Sequence, residues 1–148
     1  MDNESQATIA FLQTLVEVHQ SLDLLAKELN QRTDVKKACV HPFAPRGHLS
    51  GEYDLEGLLT IGYSNADFGV SALLESGYCV DWWLALDWNE SNWRLRCDVL
   101  SNNTSDDGSC VVIPFPEFMS TSMAELTEHL KSCVLKLRET VSEESLFA

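Results

Sequence analysis

Between Cys79 and Asn102 apolar and polar residues alternate in two runs separated by a short polar break. In the first run Val80, Trp82, Leu84, Leu86 and Trp88 share one face, while Cys79, Asp81, Trp83, Ala85 and Asp87 share the other. In the second, Trp93, Leu95, Cys97 and Val99 alternate with Asn92, Arg94, Arg96 and Asp98. A period of two is the signature of a half-buried strand, and Asn89-Glu90-Ser91 supplies turn-forming side chains, so the stretch predicts a β-hairpin. A four-residue loop over 89–92 sets a register that pairs Trp88 with Trp93, Leu86 with Leu95 and Leu84 with Cys97. The polar face agrees with it: Asp87 falls opposite Arg94, and Trp83 lies diagonal to Arg96. A slip of one residue would turn every apolar side chain outward.

Two stretches follow a helical period instead. Phe11, Leu15, Val18, Leu22, Leu25 and Leu29 recur at spacings of four and three, which predicts a helix over 5–31 with Asn3 or Ser5 as N-cap. At 1.5 Å per residue it would reach about 40 Å, so it either crosses a sheet diagonally or offers part of its stripe to a second chain. The neutral flanks Thr14, Gln20 and Ser21 lack the charges of a coiled coil, which favours packing on the sheet and a monomer over a homodimer through this helix. Near the other end, Ser122 and Glu125 form a capping box ahead of Met123, Leu126, Leu130, Cys133, Val134, Leu137 and Val141, a helix over 120–141. Residues 142–148 read as a frayed acidic tail.

The rest of the chain is less periodic. Asp34–His41 alternates loosely as a first strand, and Leu55–Tyr63 suggests another between loops rich in Pro and Gly. Residues 65–77 fit a strand or a short helix ended by Gly77; Gly69 and Ser71, weak helix formers, favour strand or irregular chain. Asn102–Ser109 is a turn, and Cys110–Ile113, followed by Pro114 and Pro116, suits an edge strand. The expected fold class is α+β: a mostly antiparallel sheet of four to six strands over 35–113, with the Trp-rich hairpin at 79–102. A long N-terminal and a C-terminal helix pack on one face of that sheet. The 148 residues suit a single domain.

Charge narrows the function classes. The net charge is −13, and no Lys or Arg occurs from Gly47 through Trp93, a stretch holding Glu52, Asp54, Glu56, Asp67, Glu75, Asp81, Asp87 and Glu90. Such a surface repels nucleic acid and anionic membrane and steers a cationic protein toward it. The acidic N-terminus has no secretion signal, and five cysteines without a CxxC spacing suit reduced thiols, pointing to a cytoplasmic protein.

Candidate chemistry is sparse. Cys39, His41 and His48 lack a fourth metal donor at useful spacing, so no metal and no cofactor is expected. Cys97 or Cys79 with His129 would make a nucleophile and base, but both cysteines fall within strand patterns. Arg46-Gly47-His48 lacks the glycine pattern of a phosphate loop, and Glu52, Asp54 and Glu56 would need a pocket to act as acid and base. No catalytic residue is assigned. The remaining feature is Trp83, set on the hairpin's polar face among Asp81, Asp87, Arg94 and Arg96, the composition of an interface hot spot. The expectation is a non-enzymatic protein that binds a cationic partner protein through these five residues, as an immunity protein, adaptor or chaperone does. The alternative is a small-molecule binder or enzyme with a pocket between the sheet and the N-terminal helix.

Overall fold

The two alternating runs form a hairpin with the expected register. In a computed structural model that describes residues 2–41, 65–89, 91–103 and 108–148, strands β3 (Cys79–Asn89) and β4 (Asn92–Ser101) pair antiparallel. Trp88 lies opposite Trp93, Leu86 opposite Leu95, Leu84 opposite Cys97 and Asp87 opposite Arg94. The ladder continues to Asn89 and Asn92, one pair further than a four-residue loop allows.

β1 (Val35–His41) and β2 (Asn65–Leu74) extend the sheet on one side, β5 (Cys110–Pro114) and β6 (Phe118–Ser120) on the other. The strand order is β1-β2-β3-β4-β5, with β6 also paired to β4, and every pairing is antiparallel. The ambiguous stretch after Asn65 is a strand. Gly77, expected to end a helix if there were one, sits at φ +91° in the turn from β2 to β3, a conformation that favours glycine. At Gly69 a Cβ would run into the carbonyl oxygen of Trp82, so only glycine lets β2 approach β3 this closely. The strand expected at Leu55–Tyr63 and the loop before it lie outside the described residues.

β1 alternates loosely because its register shifts between Val35 and Lys37. The irregularity turns Val35, Ala38 and Val40 all into the core. Asn30, at the end of the first helix, closes the adjacent strand edge: its Nδ2 donates to the Ala38 carbonyl and its Oδ1 accepts from the Ala38 amide.

Helix α1 (Asn3–Asn30) starts earlier than the apolar stripe indicates, because Asp2 is the N-cap and accepts from the Ser5 amide. It packs on β1, β2 and a second helix, α2 (Met123–Glu139), which covers β4 and β6. Ser122 caps α2 by accepting from the Glu125 amide, but the capping box does not close. Glu125 Oε2 instead accepts from Ser120 Oγ, which in turn accepts from the Ser122 amide.

Trp82 lies at the centre of the core with no solvent exposure, among Leu22, Leu25, Leu29, Val70, Leu74, Leu84 and Leu137. Its Nε1 donates to Thr140 Oγ1 at 2.9 Å. The acidic tail does not fray. Two short 3₁₀ turns, Thr140–Ser142 and Glu144–Phe147, bring Leu146 and Phe147 into the core. Phe147 lies 6.2 Å from Trp82 between ring centroids, and the Arg32 guanidinium sits 3.6 Å over the Phe147 ring while binding Asp34 and Glu144. Two apolar residues among glutamates outweigh the acidic composition that suggested a loose end.

Candidate functional site

Alternation along the strands gives the sheet a second face, turned away from both helices. Register places Cys39, Ser71 and Asp81 side by side across β1, β2 and β3. The next row places Gly69 beside Trp83 and Trp83 beside Asp98. Beyond it lie Asp67, Ala85 and Arg96, and toward the hairpin tip Asp87 and Arg94. All five residues singled out from the sequence, Trp83, Asp81, Asp87, Arg94 and Arg96, therefore fall on this one face, in two groups with Trp83 between them.

At the tip, Asp87 is the shared ion-pair partner of two arginines. Arg94 donates Nε to Oδ1 at 2.9 Å and Nη2 to Oδ2 at 2.7 Å, a two-pronged contact, and Arg96 Nη2 lies 3.6 Å from Oδ2. The Asp87 side chain is only 13% exposed. It organises the two arginines rather than projecting a free negative charge.

On the other side of Trp83 the carboxylates are differently placed. Burial pushes the Asp81 carboxyl up from its ordinary value, and a hydrogen bond from Ser71 offsets part of that rise. Burial likewise raises Asp67 and Asp98, and Arg96 pulls both back. Three carboxyls with incomplete charge compensation thus surround a half-buried Trp83. The face is not open throughout, since Cys39 and Ala85 on it are buried. Asp98 was legible as the residue opposite Trp83. Asp67 and Ser71 were not, because their face depends on 65–74 being a strand.

The other candidates divide between unfavourable surroundings and undescribed chain. Cys39 is buried and its thiol is pushed up to about 11; burial also raises Cys79. A hydrogen bond to Cys133 and burial push the Cys97 thiol up, so it stays a thiol in the core. His129 stacks on Phe118, with centroids 3.8 Å apart, and burial holds its pKa below the ordinary value. None of the five cysteines forms a disulfide. Among the described residues no group of three or more His, Cys, Asp or Glu side chains is assembled for a metal. His48, Arg46, Glu52, Asp54, Glu56 and Glu90 lie outside the described residues.

Between α1 and the sheet, Val18, Leu22, Leu25 and Leu29 of the helix join the inward-facing strand residues in one core cluster. Among the described residues, one shallow surface cleft of about 570 Å³ lies beside Phe118, Ala124, Glu125, Glu128 and His129, and another of about 190 Å³ lies between α1 and α2 beside Glu17, Ser21, Lys131 and Leu135. Among the described residues no helix is long and apolar enough to cross a membrane. No family model, curated protein or solved structure matches the chain.

Proposed function

We propose that the protein is a non-enzymatic interaction module whose second sheet face receives a cationic segment of a partner protein, with Trp83 as its anchor. One observation carries this reading: Asp67, Asp81 and Asp98 surround Trp83 on a single face, and burial raises the pKa of each. Carboxylates that have lost solvation without gaining a full counter-charge favour an arriving lysine or arginine over water. The flat aromatic ring beside them supplies apolar area and a face for the cation. Arg94 and Arg96, tied to Asp87, border this acidic group and set the register of the incoming segment. The net charge of −13 speeds the encounter, and the cytoplasm, where free thiols persist, suits the five cysteines.

The test is capture from native lysate with wild type and Trp83→Ala, followed by surface-plasmon kinetics on the captured protein. Loss of the anchor should raise the off-rate by a factor equivalent to about 2 kcal/mol or more. Salt raised from about 0.05 to about 0.5 M should chiefly slow association. A partner bound equally well by Trp83→Ala places the interface elsewhere on the molecule.

A further inference from the structure

Asp87 holds the two arginines of the second sheet face unequally. Arg94 binds both of its oxygens, at 2.9 and 2.7 Å, and its side chain is 30% exposed. Arg96 Nη2 stands 3.6 Å from Oδ2, beyond hydrogen-bond reach, and its side chain is 47% exposed. Its tie to Asp87 is one of charge. Register surrounds Arg96 with further acids. Ala85 is its partner on β3 and Asp67 is the partner of Ala85 on β2, so one methyl group separates Arg96 from Asp67 along that row. Asp98 follows two residues later on the same face of β4. Strands about 4.8 Å apart put the Asp67 backbone about 10 Å from that of Arg96, a span that the arginine stem and the aspartate cover together. Trp83 lies opposite Asp98 and diagonal to Arg96. The guanidinium thus borders the side chains assigned above to an incoming cation.

We propose that Arg96 is a built-in competitor at the cation site: in the unbound protein its guanidinium answers part of the charge of Asp67 and Asp98, and an arriving lysine or arginine must replace it there. The proposal rests on the reading of this face as a cation site. Arg96 suits the part and Arg94 does not. Arg94 is fixed by two bonds to one carboxylate, whereas Arg96 has a long stem, no such anchorage and Asp67, Asp87 and Asp98 around it. Its charge is felt where the proposal requires, since it lowers the pKa of both Asp67 and Asp98 against the rise that burial causes. Asp81, on the far side of Trp83, has Ser71 as its hydrogen-bond partner, and its row across β1, β2 and β3 contains no base. An internal cation weakens the binding of singly charged segments most, because one arriving charge only exchanges one ion pair for another. A segment with two or more basic residues reaches Asp81 as well and gains there. Arg96 and Trp83 therefore act on one site in opposite senses, the first limiting affinity and the second supplying it.

The test uses the full chain, isotopically labelled, and a short arginine-rich peptide at about 0.05 M salt, with affinity read from the Trp83 indole N–H signal. Arg96→Gln should bind the peptide about fivefold or more tightly than wild type, and Arg96→Lys, which keeps the charge, should stay close to wild type. Circular dichroism should be the same for all three proteins, because the Arg96 side chain is 47% exposed. A second measurement needs no partner: the Asp67 and Asp98 carboxyl signals should titrate at higher pH in Arg96→Gln than in wild type. Unchanged midpoints overturn the proposal. So does a peptide that moves the Trp83 indole but binds Arg96→Gln no more tightly than wild type, an outcome that leaves the cation site itself standing. A Trp83 indole unmoved by the peptide in every protein overturns the site and its competitor together.

Discussion

Trp82 and Trp83 are neighbours in sequence, and the pleat sends their side chains to opposite faces of the sheet. Trp82 is wholly buried, with its indole nitrogen bonded to Thr140 and its ring near Phe147. Trp82→Phe should therefore cost about 2–4 kcal/mol in urea melts, through lost volume and an abandoned hydrogen bond. A loss within error would mean that the indole is not central to the core. Asp81, on the other face, makes the opposite prediction. Its folded pKa lies above the ordinary 3.8, so the folded state holds the proton more tightly than the unfolded chain does. That preference favours the fold below about pH 3.8 and is lost as pH rises through the folded value, leaving a desolvation cost at neutrality. Asp81→Asn, which can still accept from Ser71, should be more stable than wild type at pH 7, with the gain shrinking toward pH 4. A variant less stable at pH 7 would contradict the account. The proposed function gives that charge a role, so the same variant should lose affinity for a cationic partner.

At the scale of elements, legibility followed periodicity. The hairpin register could be read because both runs alternate and their polar faces agree, and Leu86→Ala should cost about 2–5 kcal/mol, clearly more than Asp87→Ala beside it. α2 could be read from its cap and stripe. β1 was blurred by the register shift at Val35 and Lys37, which breaks the period of two that reveals a strand. β6 is three residues long, too short for any period to register. The C-terminal turns were missed for a different reason. Their stability comes from Trp82 and Arg32, far away in sequence, and local composition carries no trace of such contacts. Phe147→Ala should accordingly cost about 3–5 kcal/mol in a thermal or urea melt. An unchanged midpoint would restore the loose tail that the sequence pattern predicts.

The whole molecule divides its charge unevenly. Several bases lie in pairs: Arg32 with Asp34 and Glu144, Arg138 with Glu28, Lys27 with Asp23, Lys131 with Glu128, and Arg94 and Arg96 with Asp87. The exposed pairs among them add little to stability. With 23 acids against 10 bases, a diffuse negative field surrounds the molecule and would draw a cationic peptide to many places. What distinguishes the second sheet face is location, so the decisive experiment must report location. Titrating the isotopically labelled protein with a short arginine-rich peptide, and following amide and indole N–H signals by NMR at about 0.05 M salt, does so. The account predicts saturable shifts centred on the Trp83 indole and the amides of Asp81, Asp98 and Asp67, with the Trp82 indole unmoved. Shifts centred instead on the helix acids, such as Glu17, Glu28 and Glu128, with Trp83 silent, would contradict it.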